Sequence, residues 1–364
     1  MTIGIEAERA NNPIKTGVEH YAQQLILHLA QIDRQNNYIL YLRSKPEHWF
    51  FTLPKNFKVK VMPFPLFWTQ ARISLEMLFH PVDVLFIPAS ALPLIHPKNS
   101  VVTIHDLAWK YFPEAFTGFM RNYLEWSAGF AVRRAKKIIA PSFATRNDVV
   151  KAYGAPPDKI AVIPHGYEPN QTQAEKVSPD LAKQLPEKFI LFVSTLQPRK
   201  NLEKLIDAFR KLRQQHPEIA HKLVVAGKPG WKFAGILKKI DENKDIVVYL
   251  GHVDNQDKWA LYRKASALVM PSLYEGFGLW ILEAFDAGVP VVTSNISSMP
   301  EVAGDAAVYC DPNSEADIEQ AMVKVLTDSG LIESLRQKGQ ERLARFGWKK
   351  CAEQTLELFN SLNS

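Results

Sequence analysis

"SLYEGFGLWILEAFDAGVPVVTSN", residues 272–295, decides how the chain is read. It sets Glu275 and Glu283 eight positions apart, with Gly276 and Gly278 just past the first acid. The apolar run "ALVMPS" (267–272) before it has the length of a buried strand. From Leu279 a helical pattern runs to Ala287, Gly288 supplies a C-terminal stop, and Pro290 lies just beyond. "PVVTS" (290–294) is a second strand. Strand, glycine turn, helix and strand in succession form the repeating unit of a parallel α/β sheet. Free amides at the start of such a helix suit a phosphate, and two carboxylates beside them suit sugar hydroxyls. Two exposed acids at a helix end have the same spacing, so both readings stand at this point.

The same texture extends outward in both directions. "FILFVST" (189–195), "HKLVVAG" (221–227), "IVVYLG" (246–251) and "AAVYCDP" (306–312) read as further strands, interleaved with helices such as 201–212. Upstream, "IGIEA" (3–7), "YILYL" (38–42), "KVKVMPF" (58–64), "DVLFIP" (83–88), "SVVTIHD" (100–106), "KKIIAPS" (136–142) and "KIAVIPHG" (159–166) form a comparable series. Val18, Tyr21, Leu25, Leu29 and Ile32 make one helical stripe, and Thr16 with Glu19 reads as its capping box. Between the series lies the polar, proline-bearing stretch 166–188. The spacing predicts two doubly wound α/β domains of similar size: residues 1–168, a linker over 169–188, and 189–345. A helix over 346–364 is expected to pack back toward the first domain. In such sheets ligands gather at the carboxyl ends of strands, and between two domains the natural place is the cleft.

Global properties agree with that division. The 364 residues exceed one ordinary domain. No apolar run approaches a membrane span, the start "MTIGIEAERA" has acids where a signal peptide is expected to have an apolar stretch, and Cys310 and Cys351 suggest neither disulfide nor metal cluster. A cytoplasmic chain is expected. Its charge is uneven. Residues 1–168 carry 19 Lys+Arg against 13 Asp+Glu, leaving 25 of each beyond. The whole excess of +6 therefore sits in the first half. That is consistent with an anionic partner there, such as a membrane face or a phosphorylated lipid, and equally with a solvated surface that has no partner. "RNYLEWSAGFAVRRAKK" (121–137) mixes aromatics with cations, and "FPLFW" (64–68) is an apolar loop candidate. Either could touch an anionic membrane peripherally, and the first could equally be a buried helix with a charged end.

Three more segments carry chemistry. "STLQPRKNLEKLIDAF" (194–209) puts Arg199, Lys200 and Asn201 at a strand-to-helix junction. Adjacent cations there suit a diphosphate, and a solvated basic turn would look alike. "IKTGVEHY" (14–21) places Gly17 in a turn before a helix, and "TIHDLAW" (103–109) puts His105 and Asp106 at a strand end.

Taken in order, these segments resemble family 4 of the glycosyltransferases, retaining enzymes with the GT-B fold, in which two Rossmann-like domains face each other across a cleft. "TGVEHY" is similar to that family's N-terminal glycine turn, and "IHDLAWKYFPE" to its His-Asp segment. "IAVIPHGY" resembles the strand entering the linker, "STLQPRKN" the diphosphate motif, and "EGFGLWILE" the E-x7-E signature. The resemblance implies that Glu275 binds donor-sugar hydroxyls and Glu283 the ribose. It implies that Arg199 and Lys200 hold the diphosphate, aided by the amides of Gly278 and Leu279 in the loop with Gly276 and Phe277. His105 would meet the donor sugar near the reacting carbon, and Gly17 would admit phosphate and acceptor. "LGHVDNQDKWALYRKAS" (250–266) resembles the base-binding turn, with Gly251 and Val253 offering backbone contacts. Trp280 replaces a usual proline and Thr16 a frequent glycine.

The expected reaction moves a hexose, mannose favoured, from a nucleoside-diphosphate sugar to a glycan or lipid-linked hydroxyl in cell-surface polysaccharide assembly. GDP-mannose is the favoured donor, with UDP-sugars open. No cofactor is expected, and the absence of any Asp-x-Asp points to metal independence. A nucleotide-sugar epimerase and a noncatalytic sugar-nucleotide-binding subunit are the alternatives. No G-x-G-x-x-G follows a strand and no basic module stands out, so dehydrogenase and nucleic-acid roles are set aside.

Overall fold

A computed structural model of the chain describes residues 1–13, 15–170 and 177–362. Ile14, residues 171–176 of the expected linker and the last two residues lie outside that description. The chain divides into two compact units: Met1–Glu168 with Phe346–Ser364, and Pro169–Arg345.

The first unit holds a seven-stranded sheet in the order β3-β2-β1-β4-β5-β6-β7. Its strands are β1 (Thr2–Glu6), β2 (Asn37–Leu42), β3 (Phe57–Val61), β4 (Val84–Ile87), β5 (Ser100–Thr103), β6 (Lys137–Ala140) and β7 (Ile160–Val162). The second unit holds six strands in the order β10-β9-β8-β11-β12-β13. These are β8 (Phe189–Val193), β9 (Lys222–Ala226), β10 (Val247–Gly251), β11 (Ala267–Met270), β12 (Val291–Ser294) and β13 (Ala307–Cys310). Every strand pairing is parallel. Both expected doubly wound sheets are therefore present. Runs such as "VLFI" and "ALVM" are apolar throughout because both faces of these strands are buried under helices.

The helix Gly17–Ile32 starts where the capping signal placed it, with the Glu19 carboxylate accepting the Thr16 N–H at 3.2 Å. It buries Tyr21, Leu25 and Leu29 against β1. The last helix, Trp348–Asn360, belongs to the first unit, where Trp348, Cys351, Ala352 and Phe359 join the core around Ile3 and Phe86. Gly166 permits that return, because a Cβ there would lie 2.3 Å from the Trp348 Cα.

In each sheet the order reverses at one place, between β1 and β4 and between β8 and β11. At such switch points the loops leaving the two strands diverge to opposite faces and open a crevice at their carboxyl ends.

Candidate active site

The second unit's switch point gathers three of the expected charged residues. The loop leaving β8 makes a tight turn over Pro198–Lys200 before the helix Leu202–Gln215. The loop leaving β11 carries Glu275. The Glu275 carboxylate accepts from Arg199 Nη1 at 2.9 Å and from Lys200 Nζ in direct contact. Ser272 Oγ donates to it at 2.9 Å and Trp280 Nε1 at 3.4 Å. Glu275 and Lys200 are both only 6% exposed. Burial alone would raise the Glu275 pKa, but Lys200 and Arg199 outweigh it and hold the carboxyl at about 2.

The sequence reading assigns the acid to a sugar and the cations to a diphosphate, as separate groups. The structure joins them in one ion triad. Trp280, the departure from the usual proline, helps to hold the acid.

Asn201, already placed at this junction by the sequence, and two neighbours that carry no sequence signal, Gln197 and Ser298, fix the triad. Gln197 Oε1 accepts from Arg199 Nε at 3.1 Å and from Trp231 Nε1 at 2.9 Å, which sets the plane of the guanidinium. Asn201 takes a left-handed backbone (φ 61°) and donates to Pro271 O at 3.0 Å and Pro312 O at 2.7 Å. It thereby ties the loops after β8, β11 and β13 together. Ser298 Oγ donates to the carbonyls of Glu275 and Phe277, both at 2.9 Å, and so braces the acid's loop from below.

Of the two loop glycines, Gly278 takes a left-handed backbone, with φ 97°. Leu279 then opens the helix Leu279–Asp286, and no side chain caps its first amides. Glu283, one turn in, accepts from Lys258 Nζ at 2.7 Å and Tyr262 OH at 3.0 Å. Those partners lie four apart on the helix Asn255–Lys264, which the sequence reading treats only as a base-binding turn. Gly251 ends β10 with φ 68°, and its carbonyl accepts the Gly227 N–H at 2.7 Å; Val253 follows in the partly exposed turn.

His105 and Gly17 stand in the first unit. His105 Nε2 lies 2.9 Å from Pro88 O, which can only accept, so this nitrogen carries the hydrogen. Burial lowers the ring's pKa and keeps it neutral. His105 Nδ1 then accepts from His165 Nε2 at 3.1 Å. With both nitrogens engaged, the ring can offer a ligand its carbon edge but not a basic nitrogen. A Cβ at Gly17 would meet nothing within 4 Å. The fold itself does not demand glycine there.

The first unit's switch point also opens into a cavity of about 540 Å³. Glu6 from the end of β1, Arg9, Glu19 and Arg43 line it together with Phe67, Trp68 and Tyr123. Burial pushes the Glu6 carboxyl up to about 7, against the pull of Arg9. No sequence signal marks this cavity, because its walls come from segments more than 100 positions apart.

The Glycosyltransferase Family 4 description matches residues 15–171, and Glycosyl transferases group 1 matches residues 173–342. An Escherichia coli protein named O-antigen chain mannosyltransferase B is 32% identical over 273 residues, covering 73% of this chain and 71% of that one. The chain belongs to the family 4 glycosyltransferases.

Another Escherichia coli relative of this glycosyltransferase, Serotype-specific mannosyltransferase WbdA, is 30% identical over 285 residues. The match covers 73% of this chain but about a third (34%) of that protein's length. Among solved structures, sucrose-phosphate synthase from Thermosynechococcus elongatus superposes with a TM-score of 0.74 at 19% identity, covering 100% of this chain and 99% of that one. That likeness supports the fold.

Proposed function

We propose that this glycosyltransferase moves a mannosyl residue from a nucleoside-diphosphate sugar, GDP-mannose favoured, to a hydroxyl of a glycan or lipid-linked sugar in surface-polysaccharide assembly. Configuration at the anomeric carbon is retained and no metal ion is required. The mannosyl assignment is supported by the names of the relatives that match over most of this chain. The observation that carries the chemistry is the Arg199–Lys200–Glu275 triad at the carboxyl ends of β8 and β11.

Arg199 and Lys200 hold the diphosphate and offset the charge that grows on its β-phosphate oxygen as the sugar departs. The first amides of the helix Leu279–Asp286 add to that clamp. As the cations turn to the phosphates, Glu275 is released to accept from sugar hydroxyls. Glu283, already accepting from Lys258 and Tyr262, has lone pairs left for the ribose. Gly251 and Val253 offer backbone groups to the base. For His105 and Gly17, in the first unit, the proposal keeps the roles that the family resemblance implies. The leaving phosphate assists deprotonation of the acceptor on the same face of the sugar. The first unit's cavity, lined by charged and aromatic residues, takes the acceptor saccharide.

The test is product analysis by mass spectrometry with a donor panel, in the presence of a chelator. Mannosyl transfer from GDP-mannose with the α-configuration kept is the expected result. Transfer from UDP-sugars alone, or loss of turnover on chelation, overturns the corresponding part. Under single-turnover conditions Lys200→Ala is expected to slow transfer by about 10²–10³; an unchanged rate refutes the clamp.

A further inference from the structure

Among the described residues sixteen large hydrophobic side chains are exposed, and twelve of them fall between Val61 and Trp126. The elements that bear them are joined. Ser74 Oγ accepts the Ile95 N–H at 3.1 Å, and Gln70 Nε2 donates to the Tyr123 hydroxyl at 2.7 Å. His96 meets Phe130 edge-on at 6.3 Å. The helix Ser74–Phe79, the loop around Ile95 and the helix Gly118–Arg134 therefore lie side by side.

The helix Ser74–Phe79 is apolar on its outer face. Leu75, Leu78 and Phe79, at i, i+3 and i+4, are 44%, 54% and 70% exposed, while Met77 is buried behind them. A surface helix of a globular protein normally shows the reverse. Phe119, 74% exposed, and Met120 extend the apolar surface.

Cations surround it. Lys60 and Arg72 converge on the single buried carboxylate of Glu76, Lys60 in direct contact and Arg72 at 3.3 Å. One acid cannot neutralise that set, and Lys98 and Arg121 are exposed beside Ile95 and Met120. Across residues 60–137 there are nine Lys+Arg and five Asp+Glu. A two-fold contact with a second copy would set this patch against itself and oppose like charges. A surface of anionic headgroups over acyl chains complements both the charge and the apolar side chains.

We propose that this face docks on an anionic lipid surface, with Leu75, Leu78, Phe79 and Phe119 entering the acyl boundary and the flanking cations meeting headgroup phosphates. The proposal deepens the acceptor side of the transferase reading and rests on it for its purpose. Phe67, 58% exposed, lines the cavity three residues before Gln70, whose amide meets Tyr123 of the neighbouring helix, and this offers a lipid-borne saccharide a way in from the docked side.

Co-sedimentation of the full chain with vesicles of phosphatidylcholine and phosphatidylglycerol, against pure phosphatidylcholine, tests it. The chain is expected to pellet with the anionic vesicles and to be released by salt. Leu78→Glu with Phe79→Glu should weaken binding at least about tenfold. Lys98→Gln with Arg121→Gln, at exposed positions that leave the fold alone, should weaken it and flatten its salt dependence. Failure of the wild type to bind anionic vesicles, or equal binding by the Leu78/Phe79 variant, overturns the proposal. So does a wild-type dimer that binds no vesicle and becomes monomeric in that variant, since the face would then belong to a second copy. Vesicle binding by a chain that transfers no sugar would sink the transferase reading and leave this one standing.

Discussion

Replacing Glu275 by Gln keeps the shape of the triad and removes its negative charge. The carboxyl's fall from 4.5 to about 2 corresponds to about 3 kcal/mol, at about 1.4 kcal/mol per tenfold change in proton affinity. The group is buried, so little of that is lost to solvent screening. A depressed carboxyl contributes its stability above its unfolded value of 4.5 and loses it as pH falls toward 2. At pH 7 the Glu275→Gln variant should therefore be less stable than the wild type by about 3 kcal/mol, the order expected when one partner of a buried ion cluster is removed. The gap should close as pH falls below about 4.5, because protonation makes the wild-type carboxyl resemble the amide. Urea unfolding at a series of pH values, followed by hydrogen exchange of peptides from β8 and β11, reads the second unit separately. A gap that stays constant with pH, or no gap at pH 7, would refute the account of the triad as a charge cluster stabilised by Glu275.

Three further outcomes are expected. Glu6, raised from 4.5 to about 7 by burial, makes the wild type lose stability as pH climbs through that window. Glu6→Gln should remove the slope and be the more stable protein at pH 8, by up to about 3 kcal/mol; parallel stability curves would contradict this. Gly166→Ala places a Cβ 2.3 Å from the Trp348 Cα and should cost up to about 3 kcal/mol, seen as earlier proteolytic release of the helix Trp348–Asn360. Gln197→Ala frees the Arg199 guanidinium from its acceptor and should lower turnover by up to about 10²-fold, with Gln197→Glu restoring part of it.

The fold is legible wherever local chemistry suffices. Apolar runs bounded by Gly, Pro and Asp mark the strands, and the Thr16–Glu19 signal marks the first helix. The site is legible only as separate segments. Periodicity carries no information on which loops meet, so Arg199 and Glu275, 76 positions apart, look like groups for different parts of a ligand. Ser298 and Gln197 escape notice because a serine or glutamine in a loop looks like any solvated residue until its carbonyl or guanidinium partner is known. The stretch 121–137 forms the partly buried helix that one of its two readings expects. Its helix begins at Gly118, where the Thr117 hydroxyl accepts the Met120 N–H at 3.3 Å, and buries Ala128, Ala131 and Val132. It leaves Phe119, Met120 and Trp126 outside.

The two switch points differ in a way that bears on which substrate each would take. In the second unit the charge is concentrated, with one positive charge left over. Two cations share one carboxylate, and a diphosphate bringing two or more negative charges can displace that carboxylate without leaving any cation buried alone. In the first unit the charges are dispersed around a wider cavity. Arg9 and Glu19 pair at 3.3 Å, Arg43 donates to the Pro65 carbonyl at 2.7 Å, and Glu6 holds its proton to about 7. A diphosphate there would face Glu6, Glu8 and Glu19 with too few cations to offset them. A neutral saccharide would find donors, acceptors and aromatic faces instead. Charge balance alone thus sorts the proposed donor to the second unit and the proposed acceptor to the first. A nucleoside diphosphate that raised the melting temperature equally in the wild type and in an Arg199→Ala, Lys200→Ala double variant would break that assignment.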